Sequence, residues 1–75
     1  MPNLRKVSGQ EAIRALEHLG FHRVRQRGSH VVLKKMTASG DVGCVVPLHK
    51  ELKIGTLRGI LKQANVEPND FLEHL

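Results

Sequence analysis

Arg25, Arg27 and His30 are the residues whose types and spacing could do chemistry. They stand in the stretch Arg25-Gln26-Arg27-Gly28-Ser29-His30-Val31-Val32-Leu33. Alternate residues of a strand share one face, so the two arginines form a row. Gly28 can take the positive φ of a tight turn without steric cost, and Ser29 suits turns as well. Such a turn folds His30, the first outward residue of a second strand, back beside the arginines. A titratable imidazole among fixed positive charges can hold a phosphodiester. An ordinary basic hairpin with a surface histidine would carry the same pattern.

If the anion is RNA, the substrate brings its own nucleophile, the 2′-hydroxyl beside the scissile phosphate. An enzyme must then supply a base for that proton, positive charge for the transition state and a donor for the leaving 5′-oxygen. A neutral imidazole can be the base, since its unperturbed pKa of ~6.5 lies near working pH. Arg25, Arg27, Lys34 and Lys35 are the candidates for positioning phosphate, with arginine's planar fork the better fit. Ser29 would shape the turn or contact phosphate. His49 is the second acid/base candidate, although a basic loop histidine is more often simply a solvated one. The implied reaction is a metal-independent transesterification, with no metal and no cofactor expected.

Competing chemistries find fewer residues. Metal-dependent nucleases cluster carboxylates, and Asp41 is the only acidic residue between Phe21 and Lys50. A zinc site built from His30 and His49 would lack two ligands. Ser29 has no acid nearby in sequence to orient a base for it. Cys44 lies in an apolar, strand-like run without evident activation and reads as a small core residue.

Composition bounds these possibilities. A chain of 75 residues makes one domain, spanning 1–75, near the size at which burial becomes marginal. Twelve Lys and Arg against seven Asp and Glu suggest an anionic partner. Two Phe, with no Trp or Tyr, argue against a base-stacking platform of exposed rings. The single cysteine fits a reducing cytosol, and no apolar run reaches membrane-spanning length. A signal-peptide core is lacking too, so a cytoplasmic protein with no membrane partner is expected.

The elements that must position the hairpin follow from pattern. After a short basic lead-in, Ser8-Gly9-Gln10-Glu11 reads as a capping box for a first helix. Ala12, Ile13, Leu16 and Leu19 form its apolar face, and Gly20 closes it, with Phe21 folding back on Leu16. Residues 22–27 and 29–36 form the hairpin. With Val24, Val31 and Leu33 inward, alternation puts Arg23, Arg25, Arg27, His30, Val32 and Lys34 outward unless a bulge intervenes. Residues 37–41 read as a mobile loop, and Val42–Val46 as a third strand stopped by Pro47. After a connection over 48–53, a second helix buries Leu57, Ile60, Leu61 and Ala64. Gly59 would let that helix pack closely on the sheet, and Asn65 would close it in the left-handed position. Pro68 opens a last short helix carrying Phe71, Leu72 and Leu75. The fold class is thus α+β, in the order α-β-β-β-α with a short C-terminal helix. Its three-stranded antiparallel sheet should have helices on one face and the other face open.

In these pieces the chain resembles the HicA-type toxins, the mRNA-cleaving half of a prokaryotic toxin–antitoxin pair. The resemblance runs through Ser8-Gly9, Leu19-Gly20-Phe21 and Arg25-Gln26-Arg27-Gly28-Ser29-His30. It continues in Val46-Pro47-Leu48-His49, Glu51-Leu52-Lys53, Gly55-Thr56-Leu57-Arg58, Ile60-Leu61-Lys62-Gln63-Ala64 and Phe71. It implies a fold like a double-stranded-RNA-binding domain, mRNA as substrate, a HicB-type antitoxin as partner and His30 as the catalytic residue. The inhibitor would do best to cover the open basic face with acidic groups. Two departures, Ile54 in place of proline and Asn65 in place of glycine, touch helix ends rather than the hairpin. A non-catalytic RNA-binding module gripping phosphates by shape would share the charge and element order. An inert family remnant stays open as well.

Overall fold

The computed structural model describes residues 4–75, so the first three residues of the lead-in lie outside the described residues. Helix α1 (Gly9–His18) starts on the expected capping box. The Ser8 amide donates to Glu11 Oε1 at 3.0 Å, and the Glu11 amide donates to Ser8 Oγ at 3.0 Å. Donation from the Ser8 backbone also holds the Glu11 carboxyl below its ordinary range. At the other end Gly20 has φ 101°, and the Phe21 amide reaches the Leu16 carbonyl at 3.0 Å. Those bonds satisfy carbonyls that the last turn would otherwise leave orphaned.

Three strands follow, β1 (His22–Arg27), β2 (His30–Thr37) and β3 (Gly40–Pro47), antiparallel and in spatial order β1-β2-β3. The segment expected as a mobile loop is instead a tight turn at Ala38–Ser39. The strands run on to pair Thr37 with Gly40. The Thr37 hydroxyl donates to the Gly40 carbonyl at 2.6 Å, and Gly40 takes φ 118°. Polar turn residues therefore stitch the hairpin rather than loosen it.

Helix α2 (Ile54–Ala64) has no side-chain cap at Lys53, and Ile54 occupies the first helical position. Asn65 closes it at φ 56°, with the Val66 amide donating to the Leu61 carbonyl at 2.9 Å. Helix α3 (Pro68–Glu73) begins on its proline and buries Phe71 completely.

Core and face separate by strand alternation. Val31, Leu33, Cys44 and Val46 point to the helices and pack with Ile13, Leu16, Leu57, Leu61 and Phe71. Their neighbours His30, Lys34, Gly43 and Val45 are exposed on the opposite face. The sheet is covered on one side and open on the other, as expected. Two inward assignments fail. Val24 is 46 % exposed, because β1 bulges between Arg23 and Arg25 and loses its register there. Gly59 is exposed and packs against nothing, so it weakens α2 without permitting any close approach.

The close approach occurs at Gly9. A Cβ there would stand 2.1 Å from the Pro47 carbonyl oxygen and 2.9 Å from the Leu48 Cα. The Gly9 amide donates to the His49 carbonyl at 2.8 Å, and the Leu52 amide to the Val7 carbonyl at 2.7 Å. The connection after β3 is thereby laced to the start of α1.

The two glycines should respond oppositely to alanine in urea unfolding. Gly9→Ala must push backbone apart and should cost about 2 kcal/mol or more. Gly59→Ala gains helix propensity in open space and should add about 1 kcal/mol. Equal effects would contradict this account of the lacing.

Candidate functional site

The hairpin turn is two residues long. Gly28 has φ 59° and Arg27 pairs with His30. Among the described residues only Asn65 is a non-glycine at positive φ, so Ser29 is not. Glycine at positive φ followed by a residue at negative φ matches a II′ turn, whose twist suits an antiparallel hairpin. The Gln26 side-chain amide donates to the Gly28 carbonyl at 3.0 Å and clamps the turn from the strand that enters it. Sequence reasoning missed this role for Gln26. An amide two residues before a turn glycine was the available signal.

Residues directly opposite on paired strands share a face. Arg25 stands opposite Val32, and Arg27 opposite His30, so both arginines lie on the open face beside the histidine. Lys34, opposite His22, joins them. Arg23 does not. The bulge sets it opposite inward-facing Leu33, and its Nε meets Glu17 Oε2 of α1 at 3.4 Å. Lys35 also lies on the helix side, its Nζ 5.8 Å from the Phe21 ring centroid. A cation over a ring face is an attraction in its own right, and it occupies the one candidate that alternation sends away from the site.

His49 is brought to the same end of the sheet as His30. Pro47 pairs with His30, and the next amide, Leu48 N–H, donates to the Ser29 carbonyl at 2.7 Å. The His49 carbonyl is engaged by Gly9, and its side chain is exposed. Ser29 is therefore tied through its carbonyl, and its side chain stays exposed.

Electrostatically the open face is unneutralised. The ion pairs among the described residues are Arg5 with Glu11 at 3.9 Å and Arg23 with Glu17 at 3.4 Å, both at the surface. Neither draws on Arg25, Arg27 or Lys34. No group of three or more His, Cys, Asp or Glu gathers among the described residues in a way that could hold a metal ion. A cavity of about 430 Å³ between α2 and α3, lined by residues including Arg58, Leu61 and Val66, contains none of the hairpin residues. The chemistry this arrangement can do is on the sheet. It can hold a phosphodiester on guanidinium groups and present an imidazole to it.

In comparison with known families, residues 9–66 match the family model described as HicA toxin of bacterial toxin–antitoxin. No curated protein matches the chain. The matched span runs from the first residue of α1 to the residue that follows the α2 cap, and so contains the hairpin and both histidines discussed above.

Cys44 lies inside that span but faces the core. Burial pushes its thiol up to about 11, from an ordinary value near 9.0. The folded chain thus keeps the proton where the unfolded chain loses it. Its contribution to stability is complete below pH 9.0 and should fall as pH rises towards 11. Disulfide-exchange labelling of native protein at pH 8 should be slow and should accelerate in urea. Rapid labelling of the folded chain would instead mean that Cys44 is reachable and activated.

Proposed function

From the chain's membership of the HicA toxin family, the toxins of bacterial toxin–antitoxin pairs, we propose that it is a metal-independent endoribonuclease that cleaves mRNA with His30 as general base. The observation that carries the reading is the position of His30. It is exposed at the turn end of the open face, directly across from Arg27, with Arg25 and Lys34 on the same face. His30 takes the proton of the 2′-hydroxyl, whose oxygen then attacks the adjacent phosphorus. The bond from phosphorus to the 5′-oxygen breaks, leaving a 2′,3′-cyclic phosphate on one fragment and a 5′-hydroxyl on the other. Arg25 and Arg27 hold the non-bridging oxygens as negative charge builds, which preorganised donors do without rearrangement. His49 is the candidate donor to the leaving oxygen, because the lacing to Ser29 keeps it at the same end of the sheet.

The family implies an antitoxin partner. We assign it to the HicB type and to the open basic face, where acidic groups would meet unpaired arginines. Work on mRNA places the protein in the cytoplasm. Among the described residues no helix is long and apolar enough to cross a membrane.

The test is a pair of alanine variants. His30→Ala should fold with a stability change of about 0.5 kcal/mol, the usual scale for a surface position. It should still bind RNA and lose about 10²- to 10⁴-fold in cleavage rate. His49→Ala should lose less. A folded His30→Ala protein that cuts RNA like the parent would remove His30 as the base, whereas a parent that binds RNA without cutting it would leave an RNA-binding module as the better account.

Metal independence is tested separately. EDTA should leave cleavage intact, and added salt should suppress it by screening the phosphate contacts. Activity lost to EDTA and restored by magnesium or zinc would overturn the mechanism.

A further inference from the structure

The open face has an apolar half that the hairpin chemistry does not use. Arg25, Val32 and Val45 stand in one row across the three strands, and Arg27, His30 and Pro47 in the next row towards the turn. Neighbouring strands lie about 4.8 Å apart, so a row spans about 10 Å from arginine backbone to β3. At these two rows the face is therefore cationic along β1 and apolar along β3, where Val45 is exposed and Pro47 buried, with His30 on the central strand between them. Asp41 stands on the same face towards the far end of β3.

Val45 is 40 % exposed, and Val32 beside it is half-buried. The apolar floor they make has a polar rim. Arg25 stands on its β1 side and His30 towards the turn. Lys34 bounds the far side, its Cγ lying 3.5 Å from where a Cβ of Gly43 would stand. A pair of outward valines is also what strand preference alone would produce. Strand preference does not account for a rim of basic side chains around them.

Building on the RNA-cleaving reading above, we propose that Val32 and Val45 are the floor of a nucleobase seat beside the scissile phosphate. This makes the open face a reader of single-stranded RNA. The phosphate is held over β1 by Arg25 and Arg27, and the attached base lies across the valines on β2 and β3. Both phenylalanines are buried, so no exposed phenyl ring is present to stack the base, and beside the His30 imidazole the contact left for it is aliphatic. A duplex hides its bases in the stack and can use the arginines but not the floor.

The experiment is fluorescence anisotropy with a short single-stranded oligoadenylate and with a duplex RNA, in the His30→Ala background where the strand stays uncut. Val45→Thr keeps the branching and volume of valine and replaces a methyl with a hydroxyl. It should weaken single-strand binding about 3- to 10-fold, the effect of losing an apolar contact of this size, and leave duplex binding unchanged. With His30 restored, it should raise KM while kcat holds. Val45→Ile widens the floor and should bind the single strand at least as well as the parent, which separates the seat from any folding defect in the threonine variant.

Unchanged single-strand affinity in Val45→Thr overturns the seat, as does an equal loss for the duplex. A Val45→Thr protein that loses only antitoxin affinity overturns it too, and gives the valines to the protein partner. A parent that cuts no RNA, with Val45→Thr still weakening only the single strand, leaves the seat standing and removes the catalytic reading instead.

Discussion

The contact on which this small domain turns is the approach of Gly9 to Pro47 and Leu48. Backbone meets backbone there with no side chain between, and the Gly9 amide closes on the His49 carbonyl. The segment leaving β3 has to pass over the start of α1 to make that bond, and it pairs with Val7 at Leu52 on the way to α2. The same segment accepts the hairpin turn through Leu48 and Ser29. One glycine thus connects the end of the sheet that carries His30 to the first helix and, through the connection, to the second.

Everything apolar and large is collected on one side of that frame. The buried set contains no polar or charged side chain among the described residues, so the core has no unmatched group to satisfy. Its counterpart is an outer face with several unpaired cations and little to hold them in place. Mutual repulsion among Arg25, Arg27 and Lys34 works against stability in the isolated chain. The one-sided core is what leaves that face free.

Most of the framework was legible because it depends on local chemistry. Ser8 and Glu11 satisfy a helix start, Gly20 and Asn65 end helices in left-handed backbone, and Gly28 makes a hairpin turn. Each is a residue doing at its own position what its covalent structure favours. The misreadings concern relations across space. Nothing in the sequence near Val24 announces a bulge, so Arg23 was placed with the other arginines although it pairs with Glu17. Lys35 was grouped with Lys34 by charge, although strand alternation already separated them. Gly59 was read as the close-packed glycine when Gly9 is the one in contact. The shared face of His30, Arg25 and Arg27 was readable for the opposite reason. All three sit within a few residues of the turn, where counting from Gly28 meets no irregularity.

The bulge in β1 bears on how the chain should be aligned with its relatives. The bulge at Val24 changes parity between the first helix and the turn. Positions after it keep their side when numbered backwards from Gly28, and positions before it keep theirs when numbered forwards from Gly20. A family member one residue shorter in this interval has not lost part of a loop. It has an even ladder where this chain has an odd one, and its arginines can present the same face all the same. A gap placed anywhere else in that interval would align residues that point to opposite sides of the sheet.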